Sequence, residues 1–496
     1  MTRFDRRAGV FLHPTSLPGP RGIGTLGERA TAFVDTIADA GLSLWQVCPL
    51  GPVSGAFGNS PYQSYSAFAG NPLLIDLERL ADHGLLESVP DGEFPVGNTN
   101  YEAVAAFKEP LLREAFAAFP DAADESFVAD FEAFRERADW LDDYALFRAL
   151  KDEHDDAPWF EWPTDLRDRD PDALAAARDR LADEIAYREF VQFCFVEGWT
   201  HVRERAADRG VDIVGDIPIY VAHDSADVWA NRELFKLDPA GHQEVVSGVP
   251  PNDGDSGQKW GNPVYDWDAL AANDFAWWTD RFAWLLETCD VVRLDHFRAF
   301  AAYWEIPARE DAVPADGWWA PARGEDLFGT VEAELGELPI IAEDLGPTDE
   351  ETEQLRRAID APGMKVIQYA DWCADHGEFL PHDAPEDSVI YPSTHDTNTF
   401  VGWYEDEVSG EQRDCLEYYL DASGEGIHWA AVEACWHADS VFAIAPIQDV
   451  LGFGSESRFN TPGTAHGNWE WRLTDAEFDR LDVDRLAGIA ADAGRN

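Results

Sequence analysis

Eight short apolar segments recur along this chain, and each of them runs into polar residues at its end. Stretches with helical periodicity lie between several of them; in residues 28–41, Ala30, Phe33 and Ile37 fall on one helix face. Strands that alternate with helices are typical of an α/β barrel. The sequence therefore predicts a (β/α)8, or TIM, barrel of the α/β class. The predicted strand segments are 9–18, 44–52, 211–221, 291–297, 339–346, 364–370, 388–396 and 441–449.

The spacing of these segments predicts additions to the barrel. About 160 residues separate the second segment from the third, far more than a single βαβ unit uses. Amphipathic helical patterns fill this interval, which predicts a helical insertion over residues 80–205 between strands two and three. Residues 222–266 are rich in Gly, Pro and Asp and are expected to form a loop-rich extension after strand three. No linker-like boundary occurs, so residues 1–496 are expected to form one barrel domain with these additions.

The charge of the chain excludes several classes of partner. It has 96 acidic and 37 basic residues, which gives a net charge of −59. Binding to nucleic acids or to anionic membranes rests on cationic contacts, so neither partner is expected. The acidic residues are spread over the whole chain and lysine is scarce, a composition that suits molar salt, where ions screen the self-repulsion. We therefore expect adaptation to a salty cytoplasm, with a functional acidic surface as the alternative.

Neither a leader nor a thiolate metal site is expected. The first residues contain no apolar run of signal-peptide length, and no stretch approaches the roughly 20 apolar residues of a membrane span. The six cysteines are scattered and form no C-x-x-C pair, which argues against zinc and against a disulfide framework. The sequence thus predicts a cytoplasmic protein without a bound metal.

Three of the predicted strands end in acidic residues, namely Asp295, Glu343 and Asp396. In a (β/α)8 barrel the chemistry lies at the carboxyl ends of the strands. These acids follow the fourth, fifth and seventh strands, so they are expected to converge on one mouth of the barrel. The structural alternative is that they form ion pairs with Arg293 and Arg298. A single acid is often structural, but three at the same end of a barrel favour a catalytic site.

Glycoside transfer is a reaction that uses several carboxylates and needs no metal. One carboxylate attacks the anomeric carbon and forms a covalent glycosyl-enzyme, while a second, protonated acid donates to the leaving oxygen. Neighbouring charges must push the two pKa values apart. Arg293, two residues before Asp295 on the same strand face, offers the positive charge that a nucleophilic carboxylate needs. Glu343 is expected to hold its proton longer because Asp344 lies beside it.

The three acids lie in the motifs "RLDHFR", "AEDLG" and "THDTNT". Together with "LHPTSLPG", "SPYQSYSAFAGNPLLIDL", "GDIPIYVAHDSADVW", "GQKWGNPVYDW" and "NTPGTAHGNWEWR", these motifs resemble the 4-α-glucanotransferase family, the amylomaltases or disproportionating enzymes. The resemblance implies a (β/α)8 barrel with helical insertions. It also implies the transfer of α-1,4-glucan segments to the 4-hydroxyl of an acceptor glucose or oligosaccharide by retaining double displacement. It implies no cofactor and no obligate protein partner.

The resemblance further implies roles for single residues. Asp295 takes the place of the nucleophile, and Glu343 takes that of the acid/base. Asp396 corresponds to a third carboxylate that binds sugar hydroxyls and favours ring distortion. The positions that match substrate-contacting residues are Arg293, His395, Asp216, Ser60, Tyr62, Gln258, Trp260 and Asn460.

Structural roles stay open for several of these residues. Asp216 can cap a turn, and a single histidine such as His395 is more often structural than functional. Tyr62 and Trp260 can equally be core residues. The motif around each residue favours the functional role.

Two other functions use the same fold and residues. A retaining hydrolase of the α-amylase kind has the same carboxylates, but water takes the place of the acceptor sugar. A glucan-binding or regulatory protein without catalysis is a third possibility, although the intact acids argue against it. Incubation with maltotriose separates them: transfer gives a ladder of oligomers with free glucose, hydrolysis gives shrinking oligomers, and a binding protein gives no turnover.

The chain departs from the family pattern at two positions. The loop before "GQKWGNP" usually carries an aromatic pair, as in "PPDYFS", whereas here it reads "PPNDGDSG" and has no aromatic residue. Phe57 stands where many relatives have Tyr, at a position linked to a secondary glucan site. Both departures concern how the acceptor is handled rather than how the bond is cleaved. The loop is expected to raise the ratio of hydrolysis to transfer.

Overall fold

The computed structural model describes residues 3–252, 256–346, 349–464 and 466–495. The described residues form twelve strands, which we number in chain order. They are β1 (Arg7–Phe11), β2 (Leu44–Gln46), β3 (Asp212–Pro218), β4 (Val245–Val249), β5 (Gln258–Pro263), β6 (Val291–Asp295), β7 (Ala302–Pro307), β8 (Trp318–Pro321), β9 (Ile340–Ala342), β10 (Gly363–Val366), β11 (Ser388–Tyr391) and β12 (Phe442–Pro446).

Eight of these strands close into a parallel barrel. The order around it is β1–β12–β11–β10–β9–β6–β3–β2, so that the last strand of the chain pairs with the first. Each of the eight segments predicted from the sequence overlaps one barrel strand. The (β/α)8 prediction is therefore confirmed. The short apolar segments were sufficient because a parallel strand is buried on both faces and so has few polar residues except at its end.

Strand β6 shows how the barrel places charged side chains. Side chains alternate along a strand, so Arg293 and Asp295 share one face of β6 while Val292 and Leu294 share the other. The register between β3 and β6 puts Asp216 opposite Arg293. The same register puts Pro218 opposite Asp295, and Leu294 lies opposite Ala342 of β9. Asp295 and the residue that follows β9 therefore reach the same end of the barrel.

Helices surround the barrel, and in the described residues they are α1 (Glu28–Asp39), α2 (Leu77–Asp82), α3 (Tyr101–Ala122), α4 (Glu125–Arg137), α5 (Leu141–Glu153), α6 (Thr164–Arg167), α7 (Pro171–Arg180), α8 (Ala182–Asp208), α9 (Ala226–Ala230), α10 (Trp267–Ala272), α11 (Ala276–Thr288), α12 (Gly324–Leu335), α13 (Glu350–Ala358), α14 (Phe400–Asp406), α15 (Gly410–Leu420), α16 (Ile427–His437), α17 (Ile447–Leu451), α18 (Asp475–Phe478) and α19 (Val483–Asp492). The main hydrophobic core lies between these helices and the barrel; for example, the rings of Phe33 on α1 and Trp45 on β2 are 5.1 Å apart. Among the described helices, none is both long enough and apolar enough to cross a lipid bilayer.

Helices α2 to α8 all follow β2 and precede β3. The interval in which the sequence predicts a helical insertion is thus helical, but it does not pack as a separate layer, because α8 packs against α1 and β3. Its boundaries at residues 80 and 205, and the description of the chain as one barrel domain with additions, stay a prediction.

The prediction of a loop-rich extension over residues 222–266 is wrong in part. This segment contains α9 and the strands β4 and β5, which join β7 and β8 in a second, antiparallel sheet of order β5–β4–β7–β8. Strand β7 begins more than fifty residues after β4 ends. The composition of the residues around β4 therefore cannot show that β4 has this partner. Several of the Gly and Pro residues that indicated a loop lie within or next to β4 and β5, and Gly248 lies at the bulge between these strands.

The expectation that the cysteines form no disulfide is corrected at one pair. Cys373 and Cys415 form a disulfide across 42 residues of sequence. It joins the loop after β10 to helix α15. Cys48, Cys194, Cys289 and Cys435 are free and buried. Sequence spacing carried no sign of the bond because its two cysteines belong to elements that meet only in the folded barrel.

Candidate active site

A cleft of about 420 Å³ opens at the carboxyl ends of the barrel strands. The residues that line it are Ser60, Tyr62, Gln63, Pro218, Ile219, Tyr220, Gln258, Trp260, Asn262, Arg293, Asp295, His296, Glu343, Leu345, Tyr369, Thr394, Asp396, Asn460, Pro462 and Trp469. The sequence predicts eleven site residues, namely the three acids and the eight substrate-contacting positions. Nine of these eleven line the cleft. The other two, Asp216 and His395, are buried and contact the cleft residue Tyr62. One site therefore brings all eleven together.

A buried ion network connects β3 and β6 at the floor of the cleft. The Arg293 guanidinium donates to both oxygens of Asp216, at 2.9 and 2.7 Å, and to Oδ1 of Asp295 at 2.9 Å. Burial opposes the charge of Arg293, but the two carboxylates raise its pKa well above its usual value. A buried cation with two carboxylate partners is a fixed positive charge. Asp216 is thus an ion-pair partner rather than a turn cap, and it orients the guanidinium that holds Asp295.

In the described residues, Arg298 pairs with an acid outside this network. Its guanidinium donates to Asp349 at 2.8 Å and lies 4.0 Å from the ring centroid of Trp319. The structural alternative, in which Arg293 and Arg298 neutralise the acids, therefore holds for Arg293 alone.

Glu343 follows β9 and is held by two backbone amides. The N–H of His296 donates to its Oε2 at 2.8 Å, and the N–H of Leu345 donates to its Oε1 at 2.9 Å. Since His296 is the next residue after Asp295, these bonds bring the two carboxyl groups to neighbouring positions. Burial first, and then the negative charge of Asp295, raise the pKa of Glu343 to about 7.

Asp344 is not what raises the pKa of Glu343, so the expectation that Asp344 makes Glu343 hold its proton is wrong. Its carboxylate accepts the N–H of Met364 at 2.7 Å and lies 3.7 Å from Nε of Arg356. Successive residues along an extended segment point to opposite sides. Asp344 therefore faces away from Glu343 and ties the end of β9 to β10.

His296 has a left-handed backbone conformation, with φ at +52°. This conformation is uncommon for a residue other than glycine, and here it aims the His296 N–H at Glu343. Its imidazole is buried edge-on to Trp260, with ring centroids 4.8 Å apart, and burial lowers its pKa to about 4. The residue beside Asp295 is thus a neutral histidine that positions the acid through its backbone.

A second network holds Asp396, which follows β11. Oδ1 accepts Nδ2–H of Asn460 at 2.6 Å, and Oδ2 lies 3.1 Å from Nε2 of His395. Partial burial would raise the pKa of Asp396, but His395 and Asn460 hold it well below its usual range. The Tyr62 hydroxyl links the two networks, because it donates to Asp216 at 2.8 Å and lies 2.9 Å from Nε2 of His395.

The remaining predicted contacts lie on the rim of the cleft. Nε1–H of Trp260 donates to Gln258 at 2.8 Å, and Ser60 Oγ accepts the N–H of Tyr62 at 3.2 Å. Tyr62 and Trp260 are both half-buried, so each keeps part of its ring open to the cleft. Of the unusual loop before Gln258, residues 253–255 lie outside the described residues.

Sequence reasoning missed Asp449, which follows β12. It is fully buried, and its carboxylate accepts the hydroxyl of Ser393 and the N–H of Phe400, the latter at 2.7 Å. These two donors bracket the "THDTNT" loop, so Asp449 fixes the loop that carries Asp396. Burial raises its pKa to about 7. The signal was present, because the eighth apolar segment also ends in an acid.

Several further cleft residues, among them Tyr369 and Trp469, were also missed. Trp469 packs against Tyr62 with ring centroids 5.7 Å apart, and its φ of +66° turns the chain at this point. Such aromatic residues at the rim of the cleft lie in segments between or after strands. These segments have no regular spacing of apolar residues, so the sequence does not predict where their side chains lie in the fold.

Comparison with known proteins agrees with this geometry. The sequence profile of the 4-alpha-glucanotransferase family, glycoside hydrolase family 77, matches residues 12–477. The chain belongs to this family. The family resemblance of its motifs is thereby confirmed over nearly the whole sequence.

Individual members of the family match over similar lengths. The 4-alpha-glucanotransferase of Thermus thermophilus is 44% identical over 494 residues, which cover 98% of each chain. That of Synechocystis sp. is 46% identical over 478 residues, which cover 94% of each. Among solved structures, the amylomaltase from Streptococcus agalactiae in complex with acarbose has a TM-score of 0.94 at 36% identity and covers 99% of this chain and 100% of that one.

Proposed function

We propose that this chain is a 4-α-glucanotransferase that moves α-1,4-glucan segments to the 4-hydroxyl of an acceptor glucose or oligosaccharide. The observation that carries the proposal is the pair of carboxyl groups in one cleft with opposite environments. Asp295 is paired with the buried Arg293, whereas Glu343 has a pKa raised to about 7. A retaining transfer needs one carboxylate and one proton-bearing acid.

In the first half of the reaction, Asp295 Oδ attacks the anomeric carbon as the glycosidic C–O bond breaks. Glu343 gives its proton to the leaving oxygen, which departs as the 4-hydroxyl of the released sugar. The glucan is then held as an ester of Asp295, and Glu343 is a carboxylate. The two amide bonds from His296 and Leu345 support that charged form.

In the second half, Glu343 takes the proton of the acceptor 4-hydroxyl, whose oxygen attacks the same carbon and releases Asp295. Two inversions leave the α-configuration unchanged. Arg293 supports Asp295 when it regains its negative charge. Every proton and electron pair returns to its starting place, so no cofactor is required.

The remaining residues hold the sugar. Asp396, kept ionised by His395 and Asn460, is suited to accept hydrogen bonds from sugar hydroxyls. Tyr62 and Trp260 offer ring faces, and Gln258 and Ser60 offer polar atoms on the rim. Asp216 and His395, being buried, act through Arg293 and Asp396, respectively.

Incubation with maltotriose tests the proposal. Transfer converts it into free glucose and a ladder of longer oligosaccharides while the number of reducing ends stays constant. An α-amylase-type hydrolase, the alternative, increases the number of reducing ends without making longer products. Because the loop at 248–257 lacks aromatic residues, some hydrolysis is expected beside transfer. The Asp295→Asn protein is the control and gives neither product.

We further propose that the chain works in the cytoplasm at high salt, with α-glucans as substrates and with no nucleic acid, membrane or obligate protein partner. The net charge of −59 supports this proposal, since it favours a medium that screens repulsion and disfavours polyanionic surfaces.

A further inference from the structure

The loop between β10 and β11 collects three metal-binding side chains outside the cleft. His376, His382 and Asp383 each offer one ligand atom, and these atoms lie within 4.8 Å of one another. Oδ2 of Asp383 is 2.9 Å from Nδ1 of His376 and 3.7 Å from Nε2 of His382. Among the described residues this is the one group of three such side chains.

Backbone atoms of the same loop add to the cluster. The carbonyl oxygen of Asp375 lies 3.2 Å from Nε2 of His382, and the N–H of Gly377 donates to Oδ2 of Asp383 at 3.0 Å. The carboxylate is thus fixed in position, and two oxygen atoms face the same ring nitrogen. Oxygen atoms and imidazole nitrogens that lie this close together can bind a cation between them.

Tyr419 on α15 orients one of the two imidazoles. Its hydroxyl lies 2.8 Å from Nδ1 of His382 and also accepts the backbone N–H of His382 at 3.1 Å. Without an ion, Nε2–H donates to the carbonyl of Asp375; in the ion-bound form Nδ1–H donates to the Tyr419 oxygen instead, and the lone pair of Nε2 is then available to the ion. A histidine that ligates a metal commonly donates its other N–H to an oxygen in this way.

We propose that His376, His382 and Asp383 bind one divalent transition-metal ion of the zinc class. Two imidazoles and one carboxylate form a ligand set that suits Zn²⁺, whereas Ca²⁺ and Mg²⁺ prefer shells made of oxygen atoms alone. The Asp375 carbonyl or water completes the shell. The cysteines take no part, which is why their spacing gave no sign of the site.

The ion acts on a loop that borders the cleft. The loop is already joined to α15 by the Cys373–Cys415 disulfide and by the contact of His382 with Tyr419. It also carries Phe379, whose ring packs edge-on to the cleft residue Tyr369 with centroids 6.1 Å apart. An ion held by residues on both sides of Phe379 restricts this loop and thereby steadies Tyr369.

The test is a calorimetric titration of the chelator-treated protein with ZnCl2. Excess Mg²⁺ is present so that it occupies weak carboxylate sites. We expect one equivalent of Zn²⁺ to bind saturably and the unfolding temperature to rise with added Zn²⁺. Removing an imidazole ligand in His382→Ala or His376→Ala weakens binding at least 100-fold. Tyr419→Phe weakens it about 10-fold, since the outer partner of a ligand contributes that much.

The matched control is His437→Ala, which changes an exposed histidine on α16 whose Nδ1 lies 2.9 Å from the carbonyl oxygen of Glu433 on the same helix. It binds Zn²⁺ like the wild type. Substitution by Co²⁺ adds a second readout, because its visible absorption reports nitrogen ligation and is lost in His382→Ala. Two results overturn the proposal: no saturable equivalent in the wild type, or equal weakening in His382→Ala and His437→Ala.

Discussion

Replacing Glu343 by Gln separates the role of this residue in proton transfer from its role in the fold. Each oxygen of the Glu343 carboxylate accepts one backbone N–H, at 2.8 and 2.9 Å. A glutamine has one acceptor oxygen, so one of these N–H groups loses its partner, at a cost of about 1–3 kcal/mol in the free energy of unfolding. The protein is still expected to fold, because Asp295, Arg293 and Asp216 keep their ion network.

The loss of the proton affects substrates according to their leaving groups. A glucose leaving from maltotriose needs the proton of Glu343, so its cleavage falls by roughly 10²–10⁴-fold, equivalent to about 3–5 kcal/mol of barrier. Fluoride needs no proton, so α-glucosyl fluoride reacts in the first step at a rate close to that of the wild type.

The assay is rapid mixing of the Glu343→Gln protein with α-glucosyl fluoride, with fluoride release followed over the first turnover. We expect a burst of one fluoride per active site and then a slow phase, since Glu343 is also the base of the second step. A burst slowed as much as the cleavage of maltotriose would refute the assignment of Glu343 as the acid. Asp344→Asn is the matched control and leaves both reactions intact.

Three further predictions rest on the same structure. Because the pKa of Glu343 is raised to about 7, kcat/KM for maltotriose falls as pH rises through that value, whereas a profile that stays flat to about pH 9 contradicts this. Burial raises the pKa of Asp449 from 3.8 to about 7, so the folded state holds the extra proton between these values and the free energy of unfolding falls as pH rises through that window. When the wild type and Asp449→Asn are unfolded by urea at several pH values, the difference between their free energies of unfolding is expected to change by on the order of 4 kcal/mol across this pH window. Parallel curves of the two free energies against pH would contradict the burial argument. With a net charge of −59, the unfolding temperature and the activity are both expected to be higher in about 2 M KCl than in about 0.1 M, and a flat dependence would leave the composition unexplained.

The barrel could be predicted because its signal is local. A strand such as Phe442–Pro446 is buried along its whole length, and in the sequence it is an apolar run that polar residues follow. The second sheet could not be predicted in this way. Strand β4 depends on β7 for its pairing, and that partner lies beyond β6 in the sequence.

The residues of the candidate site that lie in recognisable motifs could be predicted from the sequence, whereas the interactions between them could not. Asp295 and Glu343 could be recognised as a pair, but the neighbour that raises the pKa of Glu343 could not. The sequence offered Asp344, the adjacent residue, whereas in the fold burial and then the charge of Asp295, which comes from another strand, raise this pKa. Asp449 was overlooked for a related reason, because its partners Ser393 and Phe400 lie about fifty residues away.

The central claim is that Asp295 carries the glycosyl group between donor and acceptor. The most direct measurement is mass spectrometry of peptides from the Glu343→Gln protein after its reaction with α-glucosyl fluoride, when the slow second step lets the intermediate accumulate. We predict a single glucosyl ester on the peptide that contains Asp295, and none when Asp295 is also changed to Asn. An ester on another carboxylate, or a full burst of fluoride with no ester on Asp295, would contradict the account.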